Sequence, residues 1–121
     1  MNILDVYHGT KGDNILQIIK DGAFRPDEKG ELYFVQHELG EAFQHGADEG
    51  RMACYVLRAR VEVPLTATIE QLQTPGALHT LRVKTALPLS GEVTEMYIRK
   101  SGSSDLRVVK GSDEIAKTLK R

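Results

Sequence analysis

The chain has 121 residues, 40% of them hydrophobic and 27% charged, with a formal net charge of −1. A chain of this length buries roughly two-thirds of its unfolded surface in one core, so residues 1–121 are expected to form a single domain. The near-neutral charge excludes the basic footprint of a duplex-binding protein, and no apolar run approaches the roughly 20 residues of a membrane span. Cys54 is the sole cysteine, which excludes an intramolecular disulfide and a one-chain thiolate metal cluster. Residues 1–5 lack the basic start and apolar stretch of a secretory signal, so a cytoplasmic location is expected.

Residues 2–8 alternate, with Leu4, Val6 and His8 on one side and Ile3, Asp5 and Tyr7 on the other. This predicts a strand ending at Gly9, followed by a turn from Gly9 to Gly12. Asp13 is placed to cap a helix in which Ile15, Ile18 and Ile19 recur at helical spacing, and Gly22 to take the left-handed exit. Pro26 and four charged residues make Ala23 to Lys29 a surface loop before a second strand, Glu31 to Gln36. Glu38 to about Glu49 puts Leu39, Ala42, Phe43 and Ala47 on one helical stripe.

Arg51 to Val63 is the clearest strand. Tyr55, Leu57, Ala59, Val61 and Val63 face one way, Arg58, Arg60 and Glu62 the other, and Pro64 stops it. Cys54, in step with Met52 and Val56, reads as a buried small hydrophobe. Thr68 to Leu72 suits a helical turn before Thr74-Pro75-Gly76, and Leu78 to Leu87 a weaker strand. Glu92 to Lys100 and Asp105 to Lys110 flank Ser101-Gly102-Ser103-Ser104 as the arms of a hairpin. Ser112-Asp113-Glu114 opens a short helix with Ile115 and Leu119 on one face and Lys117, Lys120 and Arg121 at its negative end. Together these elements predict an α+β domain with a mostly antiparallel sheet.

Three groups of residues are suited to chemistry. His8 at a strand end, followed by Gly9 and Thr10, can turn its ring toward a ligand that the Gly9 backbone approaches closely, or it can be a hydrogen-bonded core histidine. Tyr33 and Phe34 must point to opposite faces, so one ring is core and the other is available as a stacking wall. Phe43 supplies a second wall or packs in the core. Glu92 and Glu95 stand in a run of β-formers, where each can face water or a ligand, and three positions apart they point to opposite faces of a regular strand. His37, His45 and His79 lack metal-ligand spacing, so no metal is expected. There is no P-loop, G-x-G-x-x-G or G-x-S-x-G.

Tyr7-His8-Gly9-Thr10, Ile18-Ile19-Lys20-Asp21-Gly22-Ala23-Phe24, Gly30-Glu31-Leu32-Tyr33-Phe34 with Ala42-Phe43, and Thr94-Glu95-Met96-Tyr97-Ile98 span most of the chain. Together they resemble the ADP-ribosyltransferase family, in the His-Tyr-Glu class shared by poly(ADP-ribose) polymerases and diphtheria-type toxins. The resemblance implies an ADP-ribosyltransferase-like fold with a mostly antiparallel split β-sheet and short flanking helices. It implies that NAD is the co-substrate, with no metal. His8 would bond the adenosine ribose, the Gly9 backbone would hold the nicotinamide amide, Thr10 would support the turn, and Tyr33 would stack on nicotinamide. Phe43 would complete the sandwich, although Gln44 occupies the place where the family carries its aromatic. Glu95 would be the catalytic carboxylate, with Glu92 the alternative because Met96 stands where an aromatic is usual.

The activity so implied is NAD-dependent mono-ADP-ribosyl transfer to a protein, nucleic acid or small-molecule acceptor, with release of nicotinamide. A toxin or effector role, which a free-standing domain suits, would add an inhibitory partner protein. The alternative is an inactive module of the same fold that binds NAD, ADP-ribose or a protein. A third reading, NAD-dependent transfer of an RNA 2′-phosphate, would need several of Arg25, Arg51, Arg58 and Arg60 in the pocket.

Overall fold

The computed structural model describes residues 2–45, 53–100 and 105–120. In chain order the elements are β1 (Asn2–Thr10), α1 (Gly12–Asp21), β2 (Ala23–Phe24), β3 (Glu31–Val35), α2 (Leu39–His45), β4 (Ala53–Val63), β5 (Thr68–Gln71), β6 (Thr80–Lys84), β7 (Leu89–Lys100), β8 (Leu106–Lys110) and α3 (Ser112–Leu119). The architecture is α+β: the eight strands join in one sheet of order β2-β7-β4-β1-β3-β6-β5, with β8 also on β7. Every pairing is antiparallel. The β2-β7-β4-β1 and β3-β6-β5 parts of the sheet meet at one paired position, Tyr7 opposite Val35.

Side-chain alternation along the central strands sorts the core into two layers. On one face Val6, Phe34, Leu57, Ala59, Val61 and Met96 pack under Ile15 and Ile18 of α1 and Ile115 of α3. On the other face Val35, Val56 and Tyr97 pack under Ala42 and Phe43 of α2, with Tyr7 and Cys54 partly buried beside them. Central strands covered on both faces gain apolar burial from each, at roughly 25 cal/mol per Å². No helix among the described residues is long and apolar enough to cross a membrane.

The structure departs from the sequence reading in several places. β1 runs on through Gly9 and Thr10, which pair with Val56 and Tyr55, so the expected four-residue turn shrinks to Lys11. α1 begins at Gly12 with Lys11 at the cap, no side chain caps it, and Asp13 acts through its charge in the first turn. The loop from Ala23 opens with two residues paired to β7. Thr68 to Gln71 is a strand, not a helical turn, because the edge of β6 offers its backbone partners and Glu70 an ion pair with Arg82. Gly22 does take the left-handed exit, at φ 63°, with its N–H donated to the Ile18 carbonyl. β7 and β8 pair as the hairpin reading expects. Residues 101–104, the expected helix beyond His45, the strand start at Arg51–Met52 and Arg121 lie outside the described residues.

Candidate functional site

The register between β1 and β3 decides where the aromatic and imidazole groups go. Tyr7 opposes Val35, so in an antiparallel pair His8 opposes Phe34 and Gly9 opposes Tyr33. His8 therefore shares the α1-covered face with the fully buried Phe34, and Tyr33 points to the opposite face. The His8 ring stands edge-on to Phe24 at 5.3 Å between centroids and tilted against Phe34 at 5.4 Å. Phe24 and Phe34 meet edge to face at 5.5 Å, completing an aromatic corner. Gly91 makes room for it: a Cβ there would come within 2.5 Å of the Phe24 ring.

His8 Nδ1 donates to the backbone carbonyl of Tyr33 at 2.9 Å. A carbonyl can only accept, so Nδ1 carries a proton. The ring lines an open cleft of about 160 Å³, together with Thr10, Asn14, Gln17, Asp21, Phe24 and Arg25. Ile18, Phe24 and Leu32 give the cleft an apolar floor. Its rim is polar and internally bonded: Asn14 donates to the Thr10 hydroxyl at 3.2 Å, and Gln17 and Arg25 donate to Asp21 at 2.8 and 3.1 Å.

The other expected site residues lie elsewhere. Arg58 pairs with Tyr7 on one side and Glu95 on the other, so Glu95 shares the Tyr7 face, opposite to His8. Tyr33 is on the same face as Glu95, but β3 and β7 are three strand spacings apart, about 14 Å. His8, Tyr33 and Glu95 thus do not converge in this structure. Glu95 is instead engaged locally: Tyr97 donates its hydroxyl to it, and Arg58 lies 3.9 Å away while also gripping Asp5 at 3.0 Å. Burial and the Glu95 carboxylate push the Tyr97 phenol up to about 12, and the hydrogen bond from Arg58 holds Asp5 below its ordinary range.

The expectation that Glu92 and Glu95 face opposite sides is also corrected. Arg58 pairs with Glu95 and Ala59 with Val93, so Thr94 is an extra residue in β7 and donates its hydroxyl to the Arg58 carbonyl. This bulge brings Glu92, opposite Arg60, onto the face of Glu95. Phe43, the expected second stacking wall, is core: it is 2% exposed, and the Arg99 guanidinium lies 4.5 Å from its ring centre. The Gln44 side chain lies outside the described residues.

Sequence reasoning overlooked the rim of the cleft, although Asn14, Gln17 and Asp21 recur at three and seven positions, one polar stripe of α1. It also passed over Glu31, a strand carboxylate only 9% exposed, which accepts the Tyr33 hydroxyl at 3.2 Å and faces Arg82 at 3.4 Å. Among the described residues no three His, Cys, Asp or Glu side chains gather to hold a metal ion. Comparison with protein-family models, curated proteins and solved structures finds no match to this chain.

Proposed function

We propose that the chain binds ADP-ribose, free or as part of NAD, in the cleft beside His8. The single supporting observation is that cleft itself: an imidazole anchored to a backbone carbonyl, a polar stripe from α1 and an apolar floor meet in one cavity. A volume of about 160 Å³ is below the roughly 300 Å³ at which whole-ligand pockets begin. It suits a ribose-sized portion, with the rest of the nucleotide lying along the open rim past Arg25. Titration calorimetry with ADP-ribose tests this. His8→Ala should weaken binding at least about tenfold, roughly 1.4 kcal/mol, and Glu95→Ala should leave it unchanged. No binding by the wild type, or an equal loss in both variants, would overturn the proposal.

A second reading, mono-ADP-ribosyl transfer from NAD to an acceptor with release of nicotinamide, is favoured by one bond. Tyr33 donates its hydroxyl to the nearly buried Glu31, which places a carboxylate beside the expected nicotinamide-stacking ring. Such a carboxylate can stabilise the cationic ribose that forms as the glycosidic bond opens, an effect worth about 10²–10³ in rate. Glu95, three strands away from Tyr33, is poorly placed for this work. Nicotinamide release from labelled NAD should be lost in Glu31→Gln and kept in Glu95→Gln. The reverse pattern would return the role to Glu95, and absence of turnover in the wild type would leave binding as the function.

A further inference from the structure

Arg82 stands between two carboxylates on the face that carries Tyr33. On β6 it pairs with Tyr33 on one side and Glu70 on the other, so the three side chains share one row of the sheet. Its Nη2 donates to Glu70 at 2.6 Å, and its Nε lies 3.4 Å from Glu31 Oε2, the oxygen that also accepts the Tyr33 hydroxyl. Hydrogen bonds to Glu70 first and then to Tyr33 hold the guanidinium above the ordinary arginine value, so its positive charge is permanent.

The two carboxylates differ in what solvates them. The Glu70 side chain is 55% exposed and that of Glu31 10%, so water serves the first and the protein must serve the second. Arg82 Nε is itself buried and makes no hydrogen bond among the described residues, which sets an N–H in want of an acceptor beside a carboxylate in want of a cation. Glu70 clamps the outer end of the guanidinium and so keeps the inner end against Glu31. The other charged groups beside Glu31 do not replace it: Asp27, which accepts the Glu31 N–H, carries the same sign, and Lys84, opposite Glu31 on β6, is exposed to screening water. We propose that Arg82 is a positioning residue for nicotinamide release from NAD, fixing the Glu31 carboxylate beside the Tyr33 ring and supplying its counter-charge. This rests on the reading in which Glu31 stabilises the cationic ribose. In that reaction the bond from C1′ to the nicotinamide nitrogen breaks and its electron pair leaves with nicotinamide. Water or an acceptor nucleophile then bonds to C1′ and gives its proton to solvent. Arg82 makes and breaks no bond; it holds the charge that the opening C1′ meets.

The test is nicotinamide release from labelled NAD, followed across pH in the wild type, Arg82→Met, Arg82→Lys and Glu31→Gln. Arg82→Met should lower kcat at least about tenfold at neutral pH while KM stays within about twofold, the mark of a group that serves the transition state. Its kcat should climb as pH rises above neutrality, because Glu31 without a counter-charge ionises only at higher pH. A rate lost through misfolding would not return with base. Arg82→Lys should stand at least about threefold above Arg82→Met at neutral pH, since the charge returns without the two-sided fork. A kcat of Arg82→Met within about twofold of the wild type, or a deficit equal at every pH, would overturn the positioning role alone, provided Glu31→Gln is inactive. Turnover that survives in Glu31→Gln, or none in the wild type, would overturn the role together with the reading beneath it.

Discussion

Phe24 reaches His8 only because position 91 carries no side chain. A methyl group placed there meets the ring of a fully buried phenylalanine rather than a flexible tip, so the strand or the ring must shift. Gly91→Ala should destabilise the fold by about 1–3 kcal/mol and weaken ADP-ribose binding through the displaced aromatic corner, as urea unfolding and calorimetry would show. Across the sheet, Tyr97 carries a pH signature. Its folded-state value near 12 lies above the unfolded value of 10, so its contribution to stability is fully present below pH 10 and lost as pH rises toward 12. An ultraviolet titration should show one of the four tyrosines ionising late, near 12, and Tyr97→Phe should remove that component. At this scale alternation put Tyr33 and Phe34 on opposite faces, and the structure makes Phe34 the buried one. Which face His8 would share required the Tyr7–Val35 register, a contact between distant segments that residue order does not contain.

Elements with their own periodic pattern were legible, and those held by a neighbour were not. The isoleucines of α1, the alternation of β4 and the serine-glycine hairpin each carry a local signal strong enough to name the element. β5 has none: all four of its residues are exposed, and it exists because β6 offers a free edge. The Thr94 bulge is invisible for the same reason, since it answers to the backbone of β4, and it reverses the facing of Glu92 relative to Glu95. Beside the packing of Ala42 and Phe43, a carboxylate also ties α2 to the sheet: Glu41 accepts from the His79 N–H at 3.0 Å and from the buried Thr80 hydroxyl at 2.7 Å. Glu41→Ala should cost about 1–3 kcal/mol and speed hydrogen exchange at the His79 amide. It should leave ADP-ribose affinity unchanged, because α2 covers the face away from His8.

For the whole molecule, a sheet covered on both sides offers two separate chemical surfaces. One carries the His8 cleft among α1, β1, β2 and β3; the other carries the Asp5–Arg58–Glu95–Tyr97 network and the Tyr33–Glu31 pair. The class of fold was legible because it follows from the order and type of the elements. The division of the expected site between the two faces was not, since it depends on one register and one bulge. Amide shifts report each face separately, so a heteronuclear NMR titration of the labelled protein with ADP-ribose tests most directly whether the His8 face holds the ligand. We expect the largest changes at His8, Thr10, Asn14, Gln17 and Phe24, with Arg58, Glu95 and Tyr97 unmoved. Changes centred on Glu95 and Tyr97, or none at all at saturating ligand, would contradict it.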